Sequence, residues 1–556
     1  MGEALFGFGD FQDYEDFRRN FRLNPPENFN FGFDCVDALA GSDPDKVCLI
    51  WDSDDGGGRS YTFAEMKRRS DAAARYFRSL NIGKGDRVML ILKRRIHFWF
   101  AVLGLIKIGA VAIPATHMLI ADDIVYRNKS ASVNAIVADD DERLIEAIEA
   151  AQAESASVRH LIRIGLNGVD FRTRYHWEGF DEGIGAHMDG EPLARVTENA
   201  DPMLLYFTSG TTGYPKMVLH NHTYPLAHIV TAKYWHNLHP NSIHFTLADT
   251  GWGKAVWGKL FGQWLCKAAV FVYDHEKLVV QRLLRMLEKH RVTSFCAPPT
   301  VYKVLLTADF SNYDLSALEY ATSAGEPLND AVYHEFKKRT GIRIYESYGQ
   351  TETVPIVLTP PYIEPKPGSL GKANPMYDLV FVGMDGREFS GPGQGEMCIR
   401  MAPGVPGLFM GYYRNTDMTN YAWRGGAYHT GDLAEVDEDG YIWFIGRADD
   451  IIKSAGYRIG PFEVESVIQQ HGSVLECAVT GVPDPMRGQA VKASIILRGE
   501  YAPTDALKKE IRAFVRANAA AYKVPRVIEF VDELPKTISG KVRRGEMRRA
   551  DEAGED

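Results

Sequence analysis

The sequence predicts an α/β protein with more than one domain, and three observations lead there. Helical and strand patterns alternate over residues 60–200 and again over 267–297, short strands punctuated by glycine and proline fill 366–443, and a compact mixture of helices and strands follows Gly446. The first pattern implies parallel sheets covered by helices, and the second a small, twisted β subdomain or barrel. The third implies an α+β unit of roughly a hundred residues, about the usual domain size. A chain of 556 residues is also too long for one core.

The elements follow in order. Ala64 to Leu80 reads as a helix, Arg87 to Leu92 as a strand and His97 to Ile108 as a helix. The longest apolar stretch, Phe98 to Ala115, holds Lys107, two glycines and Pro114. A buried helix followed by a strand explains it better than a membrane span. Asn134 to Ala138 and His160 to Ile164 read as short strands, with a helix from Glu142 to Ala151 between them. Pro202 to Phe207 reads as a buried strand, and the alternation resumes with strand Lys267 to Tyr273, helix Lys277 to His290 and strand Ser294 to Ala297. In the β region the strands are Leu379 to Val382, Gly395 to Arg400 and Tyr441 to Ile445. Beyond Gly446 come helix Pro461 to His471, strands Cys477 to Gly481 and Val491 to Leu497, helix Asp505 to Asn518 with Thr504 as its N-cap, and strand Val527 to Val531. The basic run Lys541 to Arg549 reads as a solvated end apart from one lysine.

Composition excludes several classes. A hydrophobic content of 45% and a charged content of 24% are ordinary for a globular protein, and a net charge of −10 argues against bulk electrostatic binding of nucleic acid. Six scattered cysteines without a CxxC pair suggest neither a zinc site nor a disulfide framework, and fit a reducing cytoplasm. The acidic, aromatic start of the sequence resembles neither a secretory signal nor a mitochondrial presequence.

Six stretches carry chemistry. Thr208-Ser209-Gly210-Thr211-Thr212-Gly213-Tyr214-Pro215-Lys216 packs four Ser/Thr hydroxyls, two glycines and a lysine into nine residues. Glycine lets backbone N–H groups approach a polyphosphate, hydroxyls donate to it and the ammonium neutralises it. It is not a P-loop, because Pro215 precedes Lys216. In Glu346-Ser347-Tyr348-Gly349-Gln350-Thr351-Glu352, Tyr348 offers a face to a purine, Thr351 a hydroxyl to a phosphate and Glu352 a hard oxygen to Mg²⁺. In Tyr428-His429-Thr430-Gly431-Asp432, a carboxylate can hold both ribose hydroxyls. Gly446-Arg447-Ala448-Asp449-Asp450 places adjacent acids and a base where the composition changes, which suits a hinge. Ser454-Ala455-Gly456-Tyr457-Arg458 combines glycine with a phosphate-seeking guanidinium. Pro535-Lys536-Thr537-Ile538-Ser539-Gly540-Lys541 puts a lysine on a loop that can be carried into a site and out again.

All six in this order resemble the adenylate-forming superfamily of acyl-CoA synthetases, luciferases and peptide-synthetase adenylation domains, from about Tyr61 to Lys541. The runs around Tyr348, Asp449 and Arg458 look most like the medium-chain acyl-CoA synthetases. The resemblance implies a large N-terminal domain of two doubly wound α/β subdomains plus a small β-barrel (1–447), a hinge (448–450) and a small mobile α+β C-terminal domain (451–556). It implies ATP, Mg²⁺ and coenzyme A as cofactors and a small carboxylic acid as substrate. The acid attacks the α-phosphorus of ATP, and the thiol of coenzyme A then takes the acyl group and releases AMP. Carried over residue by residue, Lys541 meets the α-phosphate, Asp432 and Arg447 hold the ribose, and Gly325-Glu326-Pro327 lines the adenine and acyl sites. Asp449 is the hinge residue, Ala455-Gly456-Tyr457 opens the pantetheine tunnel, and Arg487 and Arg516 meet coenzyme A phosphates.

Gly349 stands where acetyl-CoA synthetases carry a tryptophan that shortens the acyl pocket, so acids larger than propionate are expected. Trp252, followed by Gly253, matches an aromatic that borders the acyl site. Lys541 also resembles sites of regulatory lysine acetylation in this family, which would make an acetylase a partner. Two other readings share part of this pattern: an adenylation enzyme that loads a carrier-protein thiol, and a non-catalytic nucleotide-binding protein.

Overall fold

The computed structural model describes residues 8–54, 56–165, 173–208, 215–326, 328–383, 385–537 and 541–553. The chain divides into two compact units. The first comprises 1–208, 216–378 and 401–421, and the second 209–215, 379–400 and 422–556. The expected boundary at 448–450 lies within the second unit.

The first unit is built on two sheets. In the nine-stranded sheet, six central strands run parallel: Ile344–Tyr348, Tyr320–Ala324, Ser294–Cys296, Ile243–Thr246, Ala269–Asp274 and Val47–Ser53. Short antiparallel strands close both edges. The eight-stranded sheet centres on Pro202–Thr208, Val111–Pro114, Arg87–Ile91, Ala135–Ala138 and His160–Arg163, all parallel, and Lys216–Asn221 and Gly411–Tyr412 add antiparallel strands at one side.

The apolar run resolves as helix His97–Ile108 and strand Val111–Pro114, with Gly109 between them at φ 73°. Every residue of that helix from Phe98 onward is buried, Lys107 included, which fits a helix covered on all sides. Helix Phe63–Ser79 opens with a reciprocal cap between Thr62 and Glu65. Strands Val47–Ser53, Ile243–Thr246 and Tyr320–Ala324 of the parallel core escaped the sequence reading. Val47–Ser53 pairs in parallel with Ala269–Asp274, a partner more than two hundred residues away.

The second unit holds a five-stranded antiparallel sheet: Glu388–Phe389, Leu379–Val382, Gly393–Ile399, Tyr428–Val436 and Ile442–Arg447. Beyond it, strands Tyr457–Ile459, Ile452–Ser454, Gly488–Leu497 and Val474–Asp484 form another sheet, to which Val527–Phe530 adds in parallel. Helices Pro461–Ile468 and Asp505–Asn518 contribute Val464, Ile468, Leu507, Ile511 and Val515 to its core. Thr504 caps the second helix through a bond from Leu507 N–H at 3.2 Å.

The basic run at the C-terminus is corrected. Arg544–Ala553 is a helix docked on this unit, not a solvated end. Arg544 makes a two-pronged ion pair with buried Glu465 at 2.7 and 2.8 Å, Arg548 meets Asp450 at 2.6 Å and Lys492 meets Asp551 at 2.6 Å.

Candidate active site

The residues expected to hold ATP lie in both units. In the first, strands Pro202–Thr208 and Lys216–Asn221 pair in register, with Thr208 opposite Lys216. The expected phosphate-loop residues Ser209, Gly210, Thr211, Thr212 and Gly213 lie outside the described residues, but their two anchors face each other. The Lys216 ammonium stands 5.3 Å from the centre of the Tyr412 ring, and the Tyr412 hydroxyl donates to Glu352 Oε1 at 2.8 Å. The expected phosphate lysine and the expected Mg²⁺ carboxylate therefore flank one tyrosine. Tyr412 was not foreseen: it lies on a two-residue strand whose pairing with Val218 brings it there.

Thr351 is placed from behind. The His220 ring donates from Nε2 to the Thr351 carbonyl at 2.8 Å and stacks on Tyr224 with centroids 3.8 Å apart. Burial pushes His220 down to about 4, so it is a neutral donor at physiological pH. A histidine in a buried strand carries no local mark of this role.

Tyr348 ends strand Ile344–Tyr348, and Gly325 and Glu326 follow the end of the neighbouring parallel strand Tyr320–Ala324, with Ala324 opposite Ser347. The carboxyl ends of parallel strands are where open α/β sheets bind ligands. Pro327 lies outside the described residues. Gly325 (φ 103°) and Glu326 are exposed. Ser347 Oγ donates to Val357 O at 2.9 Å, and the Gln350 N–H donates to Thr353 Oγ at 3.0 Å. Glu346 is buried, accepts from the Leu328 N–H at 3.0 Å, and is pushed by burial up to about 8.

Trp252 N-caps helix Gly253–Lys259. The preceding residue must be glycine, because a Cβ at Gly251 would stand 2.3 Å from the Thr116 backbone nitrogen. Lys254, the second residue of that helix, donates to the Ala324 carbonyl at 3.0 Å and so ties the expected acyl side to Gly325. Around Gly349 the backbone is close: a Cβ there would lie 3.0 Å from Val354 O.

The second unit brings its own set together. Asp432 is buried and stands directly opposite Arg447 in the strand pair, with an ion pair at 3.3 Å. The Arg447 guanidinium also reaches Asp449 at 3.3 Å and the Thr430 carbonyl at 3.3 Å. Ala455, Gly456, Tyr457 and Arg458 form an exposed turn, and Ala455 N–H donates to Arg487 O at 2.9 Å. Tyr457 stacks on Tyr522 with centroids 4.3 Å apart. Arg516 lies on the exposed side of its helix, a different element from Arg487. Lys541 is exposed: its N–H donates to Thr537 Oγ at 3.1 Å, and its carbonyl accepts from Thr537 N–H at 2.8 Å.

Comparison with known proteins identifies the family. Residues 36–413 match the family model of the AMP-binding enzymes, and 463–541 match that of the AMP-binding enzyme C-terminal domain. The human acyl-coenzyme A synthetase ACSM3, a mitochondrial protein, is 37% identical over 97% of this chain and 92% of its own length. Human ACSM5 is 36% identical over 94% and 90%. Among solved structures, the anthranilate CoA ligase AuaEII in complex with anthranoyl-AMP superposes with a TM-score of 0.86 at 28% identity, covering 96% of this chain and 99% of that one. An acyl-CoA synthetase from Brucella canis gives a TM-score of 0.73 at 29% identity over 98% and 100%. The chain belongs to the adenylate-forming AMP-binding enzymes and is an ATP-dependent acid–CoA ligase of their acyl-CoA synthetase branch, with medium-chain enzymes as its relatives. No helix among the described residues is long and apolar enough to cross a membrane.

Proposed function

We propose that this ligase activates a carboxylic acid larger than propionate, medium-chain, branched or aryl, with the residues above in defined roles. In the first half-reaction the acid's carboxylate forms a bond to the α-phosphorus of ATP and the α–β phosphoanhydride breaks, releasing pyrophosphate. Negative charge gathers on the transferring and leaving phosphates, so fixed cations and donors do most of the work. Lys216, Thr208 and the 209–213 loop serve the leaving pyrophosphate, Thr351 a phosphate oxygen, and Lys541 the α-phosphate. Tyr348, with Glu346–Gln350 around it and Gly325–Pro327 beside it, takes the adenine. Asp432 and Arg447 take the ribose.

Glu352 is a hard oxygen donor oriented by Tyr412, which fits Mg²⁺. The ion would neutralise phosphate charge there. In the second half-reaction the coenzyme A sulfur bonds to the acyl carbon, the acyl–phosphate bond breaks with AMP as leaving group, and the thiol proton passes to solvent. Ala455–Tyr457 lines the thiol's approach, and Arg458, Arg487 and Arg516 meet phosphates. We assign 1–447 to adenylation, 448–450 to a hinge at Asp449, and 451–556 to a small domain that presents Lys541 for one step and Ala455–Tyr457 for the other. The observation that carries this reading is the convergence of Lys216 and Glu352 on Tyr412.

Lys541→Ala tests it. Adenylation should slow by roughly 10²–10³, the scale of one preorganised charge contact. Thioester formation from a pre-made acyl-adenylate should be spared, and equal loss in both assays refutes the division of labour. AMP release stimulated by free coenzyme A distinguishes this ligase from an enzyme that loads a carrier protein. For the acid, kcat/KM from acetate to decanoate should rise and then fall, each buried methylene contributing up to about 0.8 kcal/mol. An acetate optimum would refute the Gly349 argument.

Exposed Lys541 is also the lysine we propose for acetylation, and acetylated enzyme should lose the same step. The six cysteines are free and buried, which supports residence in a reducing cytoplasm. The mitochondrial names of its relatives make cell fractionation the deciding measurement.

A further inference from the structure

The β region of the second unit carries a side-chain cluster that the ligase chemistry leaves unused. Glu396 and Cys398 alternate along strand Gly393–Ile399 and so share a face, and His429 sits directly opposite Cys398 on strand Tyr428–Val436. His429 Nδ1 lies 2.9 Å from Glu396 Oε2 and 3.3 Å from Cys398 Sγ. One ligand atom from each of the three lies within 4.8 Å of the other two. Zinc bonds to sulfur, imidazole nitrogen and carboxylate oxygen at about 2.3, 2.0 and 2.1 Å, so a tetrahedron needs edges of roughly 3.6 Å (S–N) and 3.4 Å (N–O). Shifts of about half an ångström would reach them.

We propose that Glu396, Cys398 and His429 bind a thiophilic divalent cation of the zinc type, with water in the fourth position. On binding, the Cys398 thiol proton goes to solvent, and the proton that His429 Nδ1 shares with Glu396 leaves Nδ1, so that the imidazole holds its one proton on Nε2 while Nδ1 takes the ion. Entry is from the side of Glu396 and His429, which keep 14% and 12% of their side chains exposed. Arg424, 3.2 Å from Glu396 Oε2, competes for the carboxylate.

The site is coupled to its surroundings by the same carboxylate. Pairing shifts register between Glu396 and Cys398, so Thr430, Gly431 and Asp432 bulge out of the pairing with strand Gly393–Ile399, between His429 and Leu433. Glu396 Oε1 holds that bulge by accepting from the Gly431 N–H at 2.9 Å, and Gly431 has φ 72°. An ion that takes up Glu396 and His429 therefore pulls on both sides of the segment that presents Asp432. Metal binding raises the KM for ATP, a consequence that rests on Asp432 holding the ribose; the metal site itself does not.

The full-length protein is titrated with Zn²⁺ against a chromogenic chelator, and with Co²⁺ by absorption, without ATP. One ion should bind, and cobalt should give a thiolate charge-transfer band and a tetrahedral ligand-field spectrum. Cys398→Ser should abolish the band and weaken zinc by more than roughly 100-fold, and Arg424→Gln should tighten it by roughly tenfold. The second variant removes a half-exposed arginine, so it reports even if Cys398→Ser fails to fold. No thiolate band, or a zinc affinity unchanged in both variants, overturns the site. Zinc should also raise the KM for ATP in the wild type and not in Cys398→Ser. Stoichiometric binding with an unmoved KM overturns the coupling and leaves the site standing.

Discussion

Lys107 shows what a single residue decides. It interrupts the longest apolar run of the chain, yet its side chain is fully buried, with Asp71 at 2.5 Å, Asp37 at 2.7 Å and Ser70 at 3.0 Å. Removing one partner of a buried ion network costs about 3–5 kcal/mol, because the other charges remain buried and uncompensated. Lys107→Ala should therefore lose about that much in denaturant unfolding, and a loss under 1 kcal/mol would mean the network is solvated. Glu346 makes a second prediction at this scale. Its folded pKa is raised from 4.5 to about 8, so between those values the unfolded chain releases a proton that the folded chain keeps. Its contribution is full below about 4.5 and is lost as pH rises towards 8. Glu346→Gln keeps an oxygen for the Leu328 N–H and should remove that fall, flattening the stability–pH profile by up to about 1.4 kcal/mol per unit across the window. Tyr412→Phe keeps the ring beside Lys216 and deletes the bond to Glu352. It should slow the pyrophosphate-forming step about threefold to tenfold, the scale of 0.5–1.5 kcal/mol, without affecting thioester formation from adenylate.

At the scale of elements, the C-terminal helix docks through ion pairs beside a small apolar contact, Met547 against Ala478 and Leu534. Glu465 accepts from the Val479 N–H at 2.7 Å and from Arg544 twice, and it is 5% exposed. Arg544→Ala would leave that carboxylate buried without its cation, an effect of about 3–5 kcal/mol. Hydrogen exchange should then show residues 544–553 opening, while the strands of the first unit keep their protection. Unchanged protection of the helix would mean the pair is dispensable. The elements best legible in the sequence were those with strong local signals. Helix His97–Ile108 matched residue for residue, and Asp505–Asn518 announced itself by its threonine cap. The C-terminal helix did not, because a basic, polar run looks the same free or docked until Glu465 and Asp450 are known to face it. Strand Val47–Ser53 was equally silent, since what makes it central is a partner more than two hundred residues away.

At the scale of the whole molecule, acid is the expected weakness. Burial lowers His220 and His222 to about 4 and His244 to about 3, from 6.5. As pH falls from 6.5 towards 4 the unfolded chain takes up protons that these folded histidines refuse, so their contribution is lost over that interval. Each group gives a slope of up to about 1.4 kcal/mol per pH unit, and three histidines outweigh the opposite slope of Glu346. Denaturant stability should fall markedly from pH 7 to pH 5, and a flat profile would mean that these imidazoles are accessible to water.

The sequence by itself determined the family, the reaction and the identity of most groups expected to carry it. Phosphate, ribose and thiol chemistry call for particular residue types, and those types sit in short runs that survive without a fold. Tertiary structure alone decided which of them meet: Tyr412 between Lys216 and Glu352, His220 behind Thr351, Lys254 on the Gly325 strand end, Arg447 across from Asp432. Those meetings arise from strand pairing and backbone approach between distant segments. Their energies are set by distance and burial, quantities that no local pattern of residues encodes.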